Sequence, residues 1–440
     1  MIKVYFERVV PLTADPLWTA ARLTQSGSPY VLYEDSSAIS VALGAIAEVI
    51  VDPDTVQLRY RESETSTFWY DDPLPVVASM LDEIPMTGWR AYGWAAFELA
   101  QPQVGTGTLL HLVVPSQEVR LCAGVAVLRA TTPAELDSLA ALVSADVPEP
   151  PFAAVPVDVR QPDTYSDSVA AAVSEIQRGL LQKVILCRTV TVPDIDLVGT
   201  YVTGRRANTP ARSYLLNLGG IEVAGFSPET VVGVHPDGRV HTQPLAGTRA
   251  LTGDPEVDHT LRADLLTDPK EIFEHAISVR LAVDELTSLC TPGSVVVEEF
   301  MDVLERGTVQ HLASRVAGTL PADRGPWDAF RALFPAITAS GIPKAAAFES
   351  IRRHEPHRRG LYSGAVMTID HTGSLDTALV LRSVFRRDGE TWLCAGAGIV
   401  SQSDPAREFE ETCEKLASVA RFLVPTATAH PVPPQSTESP

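Results

Sequence analysis

The chain has 440 residues, with 35 basic against 55 acidic side chains and a net charge of −20. At 45% hydrophobic and 20% charged it has the composition of an ordinary globular protein with a sizeable core, which excludes disordered and fibrous classes. The acidic surplus excludes broad contact with a nucleic-acid backbone, and five cysteines without paired spacing exclude a zinc ribbon or a disulfide framework.

No run has the length and apolarity of a membrane-spanning helix, and Met1-Ile2-Lys3-Val4 lacks the basic-then-apolar pattern of a signal peptide. The expectation is a cytoplasmic protein with neither membrane nor nucleic-acid partner. A chain this acidic repels anions at long range, so any anion site has to be built from local cations, helix ends or a bound metal.

From the N-terminus, Tyr30–Glu34 and Val56–Tyr60 read as strands and Gly88–Leu99 as a strand running into a helix. Val113–Val114 and Val119–Arg129 read as further strands, and Pro133–Val143 as a helix. Residues 145–162 are proline-rich and read as a linker or crossover, separating an N-terminal α+β region (1–160) from a second region (161–424). Asp163-Thr164 caps a helix whose apolar residues Val169, Ala172, Val173, Ile176 and Leu180 recur at helical spacing, and Lys183–Val192 reads as a strand.

Two strand meanders follow. The first runs through Ser213–Leu218, Glu222–Phe226, Thr230–His235 and Arg239–Gln243; the second through Leu361–Asp370, Leu375–Phe385 and Thr391–Cys394. Their short Gly- and Asp-containing turns are hairpin chemistry, so the sheets are expected to be largely antiparallel. Helices are expected at about 270–289, 343–354 and 405–422, and residues 425–440 read as a disordered tail. With no repeated βαβ unit the fold class is α+β.

Two helices share one carboxylate spacing. Thr267 or Asp268 caps a helix with Pro269 in its first turn, then Glu271 and Glu274; Asp404 and Pro405 start another, then Glu408 and Glu411. Residues three apart lie on one helix face. If those faces meet, four carboxylates repel each other and a hard divalent cation relieves them. Acidic residues in a first turn also favour the helix dipole and commonly face water, so spacing alone leaves both readings open.

Lys183, among apolar neighbours, is either a base of lowered proton affinity or a strand-end residue reaching solvent. Glu229, in Ser227-Pro228-Glu229, is either a proton donor or a solvated turn residue. Pro244–Arg249 and Ala395–Gly398 read as small-residue loops whose backbone N–H groups suit an anion, though glycines also serve plain turns. Arg382, inside the apolar run Ala378–Val384, requires an anionic partner, substrate or structural. His311 reads most simply as a satisfied core histidine.

Taken together, these runs closely resemble the chorismate-utilising enzymes, the family of anthranilate, aminodeoxychorismate, isochorismate and salicylate synthases. The resemblance spans about Tyr165 to Val424. It rests on Lys183-Val184-Ile185-Leu186-Cys187-Arg188, Phe226-Ser227-Pro228-Glu229, Pro244-Leu245-Ala246-Gly247-Thr248-Arg249, Lys270-Glu271-Ile272-Phe273-Glu274-His275, Thr338–Lys344, Gly360–Gly364, Ala395–Val400 and Glu408-Phe409-Glu410-Glu411-Thr412 with Lys415. It implies the anthranilate synthase component I-like fold, with large antiparallel sheets packed as a sandwich and helices outside.

Within the family, Ala246 stands where aminodeoxychorismate synthases carry a nucleophilic lysine, and Val31–Ser36 is a poor match to the feedback motif of anthranilate synthases. Glu274–Arg280, Arg306–Leu312 and Phe409–Leu416 look more like the salicylate synthases of siderophore pathways, although Gln243 departs from the glutamate expected there. The resemblance implies a Mg²⁺-dependent salicylate synthase acting on chorismate through isochorismate, as a monomer without a glutaminase subunit. Glu274, Glu408 and Glu411, with Glu271, would hold Mg²⁺; Lys183 would be the general base and Glu229 the general acid. Tyr362, Arg382 and Gly396 would hold the enolpyruvyl carboxylate. Gly247, Thr248 and Lys415 would lie at the ring carboxylate, and His311 and Thr338 would shape the pocket. The alternatives are an isochorismate synthase without the lyase step and an ammonia-dependent anthranilate synthase component. A di-metal carboxylate bundle or a non-catalytic chorismate binder fits less well.

Overall fold

Strands that read as unbroken apolar runs are those buried on both faces, and this chain has many. In Tyr30–Glu34, Val31 and Tyr33 enter one apolar layer while Tyr30 and Leu32 enter another. The computed structural model describes residues 4–27, 29–161, 163–307 and 309–426. Pro162 of the proline-rich stretch, Thr308, and the expected tail beyond residue 426 lie outside the described residues.

The strands form two antiparallel sheets. In the first, Phe6–Pro11, Val125–Ala130, Gln117–Cys122, Ile39–Leu43 and Tyr30–Glu34 lead into Arg212–Leu218, Ile221–Ser227, Ser383–Arg387, Glu390–Ile399, Lys183–Val192 and the short Gly341–Ile342. In the second, Leu245–Ala250, Val309–Thr319, Arg239–Thr242, Thr230–Val234, Leu375–Leu379 and Ala365–Asp370 lead into Arg90–Ala95, Leu110–Val114, Ala47–Val51, Thr55–Tyr60 and Ser63–Phe68; Val296–Arg306 pairs with Val309–Thr319 as well. Strands from both sides of the proline-rich stretch therefore pair in both sheets, Tyr30–Asn217 in one and Ala95–Ala365 in the other. The stretch itself is irregular and pinned at Val155 N–H to Leu423 O (2.9 Å).

The sheets enclose an inner layer that includes Tyr33, Tyr92, Trp94, Tyr214, Val366 and Phe385. Helices Pro16–Leu23, Pro133–Ser144, Leu197–Ala207 and Pro405–Ala420 cover the outer face of the first sheet. Helices Leu74–Asp82, Pro269–Leu289 and Pro326–Leu333 cover that of the second. Helices Tyr165–Gln177 and Lys344–His354 pack on Lys183–Val192. The α+β sandwich with outer helices is the expected architecture.

Two expectations about strands are corrected. Each meander divides between the sheets: Arg212–Leu218 and Ile221–Ser227 lie in the first, Thr230–Val234 and Arg239–Thr242 in the second, and the chain changes sheet at Ser227-Pro228-Glu229. Leu375–Phe385 is likewise not one strand. It breaks at Val380-Leu381-Arg382 and returns from the second sheet to the first, with Arg382 at φ +52°. A hydrophobic run looks the same whether or not it changes sheet halfway, because both halves are buried. The two crossings lie side by side: Ser227 Oγ donates to Leu379 O (2.6 Å), Leu379 N–H to Glu229 O (3.0 Å) and Phe226 N–H to Arg382 O (3.1 Å). They place Glu229 and Arg382 against one cavity. The supposed loops Pro244–Arg249 and Ala395–Gly398 prove to be mostly strand, the first bulged between Leu245 and Thr248, the second within Glu390–Ile399.

Candidate active site

Both acidic helices begin alike. Asp268 accepts from the N–H groups of Lys270 and Glu271, and Asp404 from those of Ala406 and Arg407, with proline at the first helical position in each. Asp268, not Thr267, is the cap of the first. The caps fix the helix phase, which aims Glu271 and Glu274 toward Glu408 and Glu411, and the faces meet: Lys270 Nζ donates to Glu408 Oε1 at 3.0 Å. All four carboxylates are largely buried, with Glu408 fully so.

One cavity is lined by Glu229, Gly247, Thr248, Glu271, Glu274, His311, Thr338, Tyr362, Arg382, Gly396, Glu411 and Lys415. Twelve of the fourteen expected site residues therefore share a wall. Glu408 stands behind it, tied to Lys270. Lys183 does not line it either. It is fully buried at the start of its strand, with Nζ 2.9 Å from Glu274 Oε1 and 3.2 Å from Ser278 Oγ. The strand-end reading of a lysine in solvent is overturned, and so is the solvated-turn reading of Glu229, which is 3% exposed. Sequence reasoning passed over Lys270 and Ser278. Ser278 sits one helical turn beyond Glu274 and Lys270 directly precedes Glu271, so the helix period was the available signal.

The electrostatics divide the carboxyls by role. Burial pushes the Glu229 carboxyl up to about 8, against the opposing pull of the Thr338 hydroxyl (2.5 Å from Oε1), the Lys183 charge and the Leu245 N–H. At neutral pH Glu229 is thus mostly a protonated acid. Burial raises Glu271, and so does the nearby Glu274; burial and Glu411 raise Glu408. Burial would raise Glu411 too, but Lys415 (2.7 Å) and Lys270 outweigh it and hold it ionised. His311 donates or accepts with Thr248 Oγ1 (3.1 Å), and burial with the charges of Arg382, Lys415 and Arg306 lowers it to about 3, so it stays neutral.

Among the described residues Arg382 has no carboxylate partner. Its Nη1 donates to Ser418 Oγ at 2.6 Å, and burial draws its pKa down to about 10. A guanidinium left this way is a site for an anion. Tyr362 is buried beside it.

Among the described residues no three His, Cys, Asp or Glu side chains converge as a ready-made metal centre. The donor set nonetheless suits a hard cation: Glu408 Oε2 is buried and, among the described residues, lacks a hydrogen-bond partner at bonding geometry, and Lys270 and Lys183 stand in as the counter-charges. Gly398 makes room for this cluster, since a Cβ there would overlap Glu274 Oε1. We expect Gly398→Ala to displace the Glu274 carboxylate and lower activity by about 10²-fold, the scale of a 1 Å misplacement. Turnover measured beside an unchanged circular dichroism spectrum checks this.

The family described as chorismate binding enzyme matches residues 39–421. The salicylate synthase of Mycolicibacterium paratuberculosis is 42% identical over 428 residues, 94% of this chain and 95% of that protein. Among solved structures, the menaquinone-specific isochorismate synthase of Escherichia coli superposes with a TM-score of 0.75 at 23% identity, covering 96% of this chain and 95% of that one. Anthranilate synthase component I of Streptococcus pneumoniae superposes with a TM-score of 0.74 at 25% identity, covering 94% and 99%. These likenesses run through both sheets.

Proposed function

Since the chain belongs to the chorismate-binding enzyme family, we propose that it is a Mg²⁺-dependent salicylate synthase, converting chorismate through isochorismate to salicylate and pyruvate. The observation that carries this reading is a buried Glu229 carboxyl in the same cavity as Arg382, which has no carboxylate partner among the described residues, and an acidic cluster that touches Lys183. The 42% likeness to a salicylate synthase over nearly the full length supports the choice within the family.

In the first step water adds at C2 and the C4 hydroxyl leaves as water. Glu229, neutral and held by Thr338, donates the proton that the leaving oxygen needs. Lys183 takes a proton from the attacking water. In the structure its Nζ is fully buried and lies 2.9 Å from Glu274 Oε1, on the side of the acidic cluster. Bound by Glu274, Glu408 and Glu411, with Glu271 nearby, Mg²⁺ would neutralise the carboxylate cluster and favour binding of the ring carboxylate. Arg382 and Tyr362, beside Gly396, bind the enolpyruvyl carboxylate, while Gly247, Thr248 and Lys415 face the ring end. In the second step the C2 hydrogen moves to the methylene carbon of the enolpyruvyl arm as the C3–O bond breaks. It requires a held conformation rather than a base, and neutral His311 and Thr338 supply shape.

Incubation with chorismate and Mg²⁺, with products identified by mass, tests the reading. Salicylate and pyruvate in equal amounts are expected, with activity abolished by a chelator and restored by added Mg²⁺. Isochorismate as the end product would replace the reading by a synthase without the lyase step; anthranilate on addition of ammonium would replace it by an anthranilate synthase component. Free thiols at all five cysteines suit the reducing cytoplasm we propose, and the product suits siderophore assembly.

A further inference from the structure

Ser278 is fully buried one helical turn beyond Glu274, and it faces Lys183 rather than the cavity. The one hydrogen bond that Lys183 Nζ makes among the described residues is to Ser278 Oγ, at 3.2 Å; Glu274 Oε1 lies 2.9 Å away as its ion-pair partner. The Ser278 hydroxyl is itself committed. It donates to the Glu274 carbonyl oxygen at 2.8 Å, and a carbonyl can only accept, so the single proton on Oγ is used there. Ser278 therefore meets the amine as an acceptor and nothing else.

Both ends of this contact are held. Lys183 opens the strand Lys183–Val192, its backbone pairs with Ile342, and Gln182 N–H donates to Ile342 O at 2.7 Å. The Pro269–Leu289 helix is fixed by its Asp268 cap and by Val279, Ala282 and Leu286 in the core. Alanine suits a buried helical position better than serine, so the hydroxyl at 278 calls for a reason other than helix stability. The Glu274 carboxylate attracts the amine through charge, which fixes no rotation of its hydrogens, whereas the bond to Ser278 is directional. A neutral amine has two N–H groups and one lone pair, and only the lone pair takes a proton. A hydroxyl free to donate would bond to that lone pair and block it. With Ser278 limited to accepting, one N–H points at the helix and the lone pair is turned away from it.

We propose that Ser278 is a positioning residue for the addition of water: its oxygen holds an N–H of the Lys183 amine and so keeps the lone pair available to the attacking water. The proposal rests on chorismate being the substrate and Lys183 the base. Ser278 acts through Lys183 without touching the substrate, so it governs the rate of the first step and not binding. The carbon-to-carbon hydrogen transfer of the second step has no use for the amine and is indifferent to residue 278.

The test compares Ser278→Ala and Ser278→Thr with the unsubstituted protein in Mg²⁺, on chorismate and on supplied isochorismate. For Ser278→Ala, kcat for chorismate should fall by about 10- to 10²-fold, the scale of a misplaced catalytic group, with KM changed less than about twofold. Pyruvate release from isochorismate should change less than about twofold. Ser278→Thr keeps a hydroxyl able to make the same bond back to residue 274, and should recover chorismate turnover to within about threefold. Unchanged chorismate turnover in Ser278→Ala would overturn the proposal. So would an equal loss on both substrates, the mark of a merely structural role, or a folded Ser278→Thr protein as slow as Ser278→Ala. Should the unsubstituted protein stop at isochorismate, the split between kcat and KM and the recovery by Ser278→Thr decide alone. Neither isochorismate nor salicylate from the unsubstituted protein would remove the functional reading and this proposal with it, whereas chorismate turnover equal in the unsubstituted and Ser278→Ala proteins removes the proposal alone.

Discussion

Lys183→Ala should abolish turnover of chorismate while leaving release of pyruvate from supplied isochorismate. The lysine is fully buried and has two partners, Glu274 and Ser278. Removing it takes away the proposed general base, a contribution of about 10²–10⁴-fold. The second step moves hydrogen from carbon to carbon within the substrate, so it has no use for the amine. The substitution also leaves a void and an unpaired Glu274, both of which weaken the fold. Lys183→Met, of similar length and without charge, keeps the void filled and should show the same division. Pyruvate release is followed from each substrate in turn. Equal loss of both activities in a folded Lys183→Met protein, or retained chorismate turnover, contradicts the assignment.

How much of this was legible in the residues depended on the range of the interaction that decides each feature. The acidic helices were legible because their signals are local: Asp268-Pro269 and Asp404-Pro405 fix both starts, and the spacing of the glutamates fixes their face. Lys183–Val192 was legible end to end for the same reason. The sheet changes at Ser227–Glu229 and Val380–Arg382 were not, because partner choice between two buried sheets leaves no trace in an apolar run. Those two crossings are what bring Glu229 and Arg382 to the cavity. Family resemblance supplied their roles without supplying the reason for their position. Lys183 behind Glu274 rather than on the cavity wall was invisible for a related cause: it depends on contacts with Glu274 and Ser278, on a helix far along the chain.

The two crossings also explain why an arginine tolerates the left-handed backbone at residue 382, a conformation that costs a residue with Cβ about 1 kcal/mol or more. The carbonyl of Arg382 accepts from Phe226 N–H, and its side chain is fixed by Ser418 from the helix that also carries Glu408 and Glu411. One helix thus orients the anion-binding guanidinium and presents half of the acidic cluster.

Glu229→Gln should lower chorismate turnover by about 10²–10⁴-fold, since an amide has the shape of the acid and no proton to give. The pH dependence carries the same assignment with a definite sign. Burial raises the Glu229 carboxyl to about 8, and the protonated form is the active one, so kcat/KM should hold below that pH and fall as it is crossed upward. An ionised Glu229 acting as a base would give the reverse, activity rising through the same range. Thr338 supplies an internal control. Its hydroxyl donates to Glu229 Oε1 and so favours the carboxylate form. Thr338→Val removes that donor and should move the alkaline limb to higher pH, by less than about one unit, the scale of a single hydrogen bond. A limb that stayed in place in Thr338→Val, or persisted unchanged in Glu229→Gln, would assign the titration to another group and remove Glu229 from the proton-transfer step.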